Sequence, residues 1–352
     1  MKLIPRRQPT SSASPIFGLL GLWMFSSSLL AVDGVIEINQ ARALAGGVTP
    51  GDAAGFPVTL SQPGSYRLTS NLTVDENTTA IEITSGHLSI DLNGFEISGP
   101  NTCSSSQALP ITVSCTLTGT GIGISAANAL DDISIRNGSI RGMGNRGISL
   151  QAGNQHLLEN LNVSNNRDRG IGAGNGIYRG NKVTLNYGYG IVGDDGIYSD
   201  NFASYNGYDG INGRHAVFSG NTSTYNGASG IGGNGYGQYN NNVTNYNSGV
   251  GLNGQQGSYS YNTAMFNGGD GIFGSDGSYT GNTVGNNADQ GIDARLGSYI
   301  GNTAFSNAKE GLVIATNAGY AQNALTDNNS GGAQVSGGIQ MGINICHNAV
   351  CP

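Results

Sequence analysis

The stretch from residue 170 to residue 310 constrains this chain more than any other. Written in rows that each open on Gly followed by Ile or Leu, it falls into seven near-copies: GIGAGNGIYRGNKVTLNYGY, GIVGDDGIYSDNFASYNGYD, GINGRHAVFSGNTSTYNGAS, GIGGNGYGQYNNNVTNYNSGV, GLNGQQGSYSYNTAMFNGGD, GIFGSDGSYTGNTVGNNADQ and GIDARLGSYIGNTAFSNAKE. Six rows are twenty residues long and the one at 230–250 has twenty-one. A repeat of this period is the mark of a solenoid, in which each repeat is one turn that buries its apolar side only by stacking on its neighbours.

Aligning the rows, with one gap for the extra residue, turns the sequence into columns of side chains spaced by the strand separation of about 4.8 Å. The second column is Ile171, Ile191, Ile211, Ile231, Leu252, Ile272, Ile292 and Leu312, an aliphatic spine. The ninth is Tyr178, Tyr198, Phe218, Tyr239, Tyr259, Tyr279, Tyr299 and Tyr320, an aromatic stack. It is expected to point inward, because the next column (Arg179, Ser199, Ser219, Asn240, Ser260, Thr280) is mainly polar. The twelfth column is Asn from Asn181 to Asn323, and a second Asn column runs from Asn186 to Asn328. Asn tolerates left-handed backbone and its amide both donates and accepts, so such columns form hydrogen-bonded ladders along the axis. Recurrent Gly is expected at corners where φ must be positive. The chain holds 59 Gly, and because they recur at fixed phase they mark a repeat rather than disorder.

Ahead of the rows, residues 35–45 (VIEINQARALA) place Ile38, Ala41 and Ala45 on one face of a short helix that ends at Gly46 and Gly47. Such a helix would cover the open end of the stack, as part of a cap over residues 32–57. From Val58 the pattern becomes β-type, with alternation in Ile81 and Ile83 and in Leu88, Ile90 and Leu92. The stack is expected over residues 58–343, with rows of 24 and 23 residues at Gly123 and Gly147 before the shorter ones begin. Residues 101–120 interrupt the rhythm as a loop that leaves the stack and returns, and residues 344–352 form a tail. Cys103 lies close to Cys115, and Cys346 to Cys351. Two local disulfides are expected among the three possible pairings, the first of them adding on the order of 3 kcal/mol. The spacing fits no zinc site, since His347 alone lies near the second pair.

Three-strand rows of this length, the Asn and aromatic columns and the I-D-L-N-G run at Ile90 to Gly94 resemble the pectin-lyase-like superfamily. The resemblance covers about residues 58–343. It implies an all-β chain, a right-handed parallel β-helix with a short N-terminal capping helix. It implies little about activity, because the superfamily includes lyases, glycoside hydrolases, epimerases, tailspikes, adhesins and members without known activity. Of the N-T-D, D-D, G-H-G and R-I-K motifs of polygalacturonase-like members, the chain has a paired D-D at Asp194 and Asp195 and none of the other three. The Tyr-Gly-Phe-Asp-Pro-His type run of alginate-epimerase-like members is absent.

Residues 1–31 have the layout of a secretory signal: Lys2, Arg6 and Arg7, then an apolar, Ser-rich run to Ala31, with Leu29 larger than the usual residue two before a cleavage point. The competing reading, a membrane anchor, is weakened by a run shorter than the ~20 residues a span needs. The segment carries three positive and no negative charges, so its removal takes the formal charge from −7 to −10. A chain this acidic is a poor partner for nucleic acid. It also disfavours a polyanionic glycan unless Ca²⁺ or a local basic patch intervenes. Secretion to the cell surface, the extracellular space or the periplasm follows from the signal, with no membrane span afterwards.

One constellation survives from spacing alone. Asp194 and Asp195 fill the fifth and sixth columns, and the next row places Arg214 and His215 in the same two columns. Such a group suits sugar binding, Ca²⁺ or acid/base work on a glycosidic or uronic centre, and it equally suits a surface salt bridge. Acids also recur near row ends, at Asp209, Asp270, Asp289 and Glu310, where they are expected to hold turns. A partial Thr line (Thr222, Thr263, Thr283, Thr303) is broken by Lys182, Phe202, Val243 and Ala324, which disfavours an ice-binding face. Two functions compete: a non-catalytic secreted or surface protein that binds glycan, adheres or acts as a spacer, and a polysaccharide lyase or glycoside hydrolase working at Asp194, Asp195, Arg214 and His215.

Overall fold

The computed structural model describes residues 34–150, 153–233 and 235–351; the signal-like segment 1–31 lies outside them. Each row forms one coil of a parallel β-solenoid of about 14 turns. A strand at the second column joins a 13-stranded sheet, while the two other strand series of each coil fall in a 26-stranded sheet. The register is that of the columns, with Ile171 beside Ile191, Tyr178 beside Tyr198 and Val183 beside Ala203. Since side chains alternate along a strand, one column per strand points inward and its neighbours outward.

The inward columns form the core. The aliphatic spine is fully buried, as is the aromatic column from Tyr178 to Tyr299. Successive rings from Tyr178 to Tyr299 stack with centroids between 4.5 and 5.0 Å apart. Both Asn ladders are present and buried. In the first, Asn201 Nδ2 donates to Asn221 Oδ1 (2.9 Å) and to the Tyr178 carbonyl (2.8 Å), while the Asn201 backbone N–H donates to that same Oδ1 (3.0 Å). The ladders run past the expected columns. The first ends at Asn344, while the second starts at Asn166 and ends on Gln334, whose Oε1 accepts from Asn328.

The corners differ in part from the sequence expectation. The residue before each ladder Asn except Asn344 adopts positive φ, and at the first ladder it is Gly in four coils (Gly180, Gly220, Gly281, Gly301). At the second ladder no Gly serves: Leu185, Tyr205, Tyr225, Tyr246 and Phe266 all lie at φ between 53° and 57°. Left-handed backbone costs an L-residue roughly 1–2 kcal/mol. Ring stacking offsets part of that cost, since Tyr205, Tyr225, Tyr246 and Phe266 form a second, surface stack at 4.8–5.1 Å.

At the N-terminal end the expected helix is only half helical. Val35–Ile38 is a strand paired in parallel with Ser65 to Leu68, and the helix is Gln40–Ala45. Asn39 divides them, because its Oδ1 accepts the Arg42 N–H (2.9 Å) and so caps a helix that begins after it. The 101–120 excursion is a strap. Cys103–Ser105 and Val113–Cys115 form an antiparallel hairpin closed by the Cys103–Cys115 disulfide, and the Ile111 N–H donates to Ser248 Oγ (2.7 Å) in a coil 137 residues away. The Cys346–Cys351 disulfide closes a second hairpin, Ile345–Cys346 with Ala349–Val350.

Candidate functional site

Columns four to six turn the corner between the 13-stranded sheet and the next strand series, and the coil is hollowed on its outer side there and along the flanking strand ends. Three open concavities follow one another along that corner. The first, about 400 Å³, is lined by Arg146, Ser149, Asn154, Arg169, Asp194 and Asp195 among others. The second, about 330 Å³, is lined by His215, Tyr236, Gln238 and Ser258. The third, about 570 Å³, is lined by Gln255, Phe273, Ser275, Asp293 and Arg295. Glycine makes the wall thin: a Cβ on Gly193, Gly233 or Gly274 would lie within 2.3 Å of a core Tyr hydroxyl, so these corners stay close to the aromatic column.

The four residues expected from spacing come together at the junction of the first two concavities, as an Arg214–Asp194 ion pair beside a His215–Asp195 contact. Arg214 Nη2 and Nε donate to the two carboxylate oxygens of Asp194 at 2.8 and 3.4 Å. His215 Nδ1 lies 3.3 Å from Asp195 Oδ1. All four side chains are about half exposed. The hydrogen bond from Arg214 holds the Asp194 carboxyl below its ordinary value, and its charge adds to the effect. Asp194 is therefore an ionised acceptor at neutral pH and a poor proton donor. His215 and Asp195 adopt left-handed backbone (φ 49° each), and the His215 ring faces Tyr236 with centroids 6.4 Å apart.

Sequence reasoning missed the basic side of the first concavity. Arg146 and Arg169 each precede the Gly that opens a row, so they share a column in successive rows; only the acids of that column had been read. Arg146 Nε donates to Asp168 (2.8 Å) and its Nη1 to Ser149 (3.3 Å). The Arg169 guanidinium stands 5.7 Å from the Tyr189 ring centre. Of the row-end acids, Asp209 and Asp270 bridge coils rather than hold only their own turns, accepting the N–H of Ser229 (2.8 Å) and of Gln290 (2.9 Å) in the next coil. Burial raises both carboxyls, that of Asp270 to about 6. Among the described residues no three His, Cys, Asp or Glu side chains gather as metal ligands. No helix among them is long and apolar enough to cross a membrane.

No protein-family model matches the chain, and no curated protein sequence matches it. Among solved structures it is similar to the A-module of the Azotobacter vinelandii mannuronan C-5 epimerase AlgE4, at 14% identity and a TM-score of 0.53, over 82% of this chain and 91% of that one. It is also similar to the periplasmic alginate epimerase AlgG (13% identity, TM-score 0.47, 82% and 85% covered). A further likeness is to the Dettilon tailspike protein (14%, TM-score 0.44, 80% and 59% covered). At such identity the first likeness defines the fold and nothing finer, and the other two carry no argument. The chain is a right-handed parallel β-helix protein, of the architecture seen in pectin-lyase-like proteins.

Proposed function

We propose that this is an exported, non-catalytic glycan-binding protein that holds an extended saccharide along the corner formed by the three concavities. The observation that carries the reading is the alignment of these open hollows down one side of the solenoid, with Asp194 already neutralised by Arg214. A row of open hollows suits a chain of sugar rings better than a small ligand, which prefers an enclosed pocket. Tyr236 and Phe273 offer exposed rings in the second and third hollows, and Asp194, Asp195, Arg146 and Asn154 offer hydrogen-bonding groups in the first. Arg146 and Arg169 supply the local basic patch that an acidic chain needs to accept an anionic sugar. The epimerase of similar fold carries mannuronan in its name, which adds an analogy of fold only.

A second reading, a polysaccharide lyase or glycoside hydrolase, draws on the contact of Asp195 with His215 at 3.3 Å beside the hollows. Against it stands the locked Asp194, since acid/base pairs work when their environments push one proton affinity up and the other down. A panel of extracellular polysaccharides, incubated with the purified chain with and without Ca²⁺, distinguishes them. Retention without unsaturated products or new reducing ends is expected. Turnover that disappears in Asp195→Ala and His215→Ala would replace the binding reading with the enzymatic one.

A further inference from the structure

On its outer face the coil formed by residues 335–350 departs from the four coils before it, although coils further upstream carry Ile177, Ile197, Val217 and Phe202, Val243 in the same two columns. One outward column runs Ser258, Ser278, Ser298, Gly319 and then Ile339. Another runs Thr263, Thr283, Thr303, Ala324 and then Ile345. Met341, two residues beyond Ile339, is 72% exposed and Ile343 is 67% exposed. Val350 pairs across the hairpin with Ile345, so the two side chains share a face. Thr is as good a strand former as Ile, so strand formation does not explain the change from hydroxyl to aliphatic. A cluster of exposed aliphatic side chains on one face marks a contact surface.

The surroundings say what covers it. Residues 328–351 contain no Asp, Glu, Lys or Arg, on a chain with 22 acids and 15 bases. They also contain no Trp, Tyr or Phe. A lipid surface draws on basic residues and on interfacial aromatic rings, and this face offers neither. A second copy of the same acidic chain needs the opposite: a face where two copies meet without opposing like charges. We propose that Ile339, Met341, Ile343, Ile345 and Val350 form a self-complementary docking face, on which two copies of this chain associate about a two-fold axis.

Sedimentation equilibrium of the full chain, over a wide range of concentration, tests this directly. A species of twice the chain mass is expected, and it should persist at high salt because the contact is apolar. The triple variant Ile339→Ser, Met341→Thr, Ile345→Thr introduces the residue types that upstream coils carry. It should keep the wild-type melting temperature and sediment as a monomer. Met341→Arg, which would oppose like charges across the axis, should likewise remove the dimer. A wild-type chain that is monomeric at every concentration overturns the proposal. So does a dimer that both variants leave intact, which would place the contact elsewhere. A monomer that co-sediments with phosphatidylcholine or phosphatidylserine vesicles through these residues overturns it in favour of a lipid surface.

Discussion

Asp270 sits where burial and charge oppose each other. Burial raises its carboxyl to about 6, and Asp289 and Asp293 add to the rise. The folded chain thus binds this proton more tightly than the unfolded chain, whose carboxyl titrates near 3.8. The stabilisation is fully present below about pH 3.8 and is lost as pH rises through about 6. Asp270→Asn keeps an oxygen for the Gln290 N–H and removes the charge. It should raise the melting temperature at pH 7.5 and bring little change at pH 4; an equal shift at both would contradict the assignment. The core tyrosines make a second contrast. Tyr198 donates to the Gly193 carbonyl, whereas the Tyr279 hydroxyl is buried with no partner among the described residues. Tyr198→Phe should cost about 1 kcal/mol, and Tyr279→Phe should be neutral or stabilising, as Phe218 in the same column suggests. Denaturant titration of the two variants reads the difference.

At the scale of the coil, stability lies in the ladders and in the glycines that let coils approach. Asn242 Oδ1 accepts from the backbone and the amide of Asn221, and its Nδ2 donates to Asn262 and to the Phe218 carbonyl. Asn242→Ala leaves several buried groups unpaired and should cost roughly 3 kcal/mol or more in a denaturant titration. A Cβ on Gly277 would lie 2.1 Å from the Gly257 carbonyl oxygen, so Gly277→Ala must force two coils apart. It should lower the melting temperature more than Gly301→Ala, where open space surrounds the added carbon and only the left-handed backbone resists. The columns were legible because phase repeats. Their ends were not, since Asn166, Asn344 and Gln334 lie outside the regular rows. The ring stack at the second ladder was also hidden, because bulky residues at positive φ contradict local preference and are held there by their neighbours above and below. The Arg214–Asp194 and His215–Asp195 contacts followed from column position, whereas Arg146 and Arg169 fall in the longer rows upstream and Phe273 differs from its column.

Over the whole molecule, coils contact mainly their neighbours, so cooperativity propagates along one dimension. The strap departs from that rule by tying the region of Asn165 to Ser248. No local pattern announced its target, since the partner lies in a different coil and is a single Ser. The corner hollows span a comparable run of coils on another side, which gives the glycan-binding reading a spatial signature. Hydrogen exchange of the full chain, with and without the saccharide that it retains, tests that reading most directly. Protection confined to the segments that line the hollows, around residues 149–150, 153–154, 172–175, 192–195, 212–215, 236–238, 255–258, 273–275, 293–295 and 313–315, is predicted, and it should shrink in Arg169→Ala and His215→Ala. Protection confined to the strands that follow the first Asn ladder (Lys182–Thr184, Phe202–Ser204, Thr222–Thr224 and their successors), with the hollow-lining segments unchanged, would contradict the account.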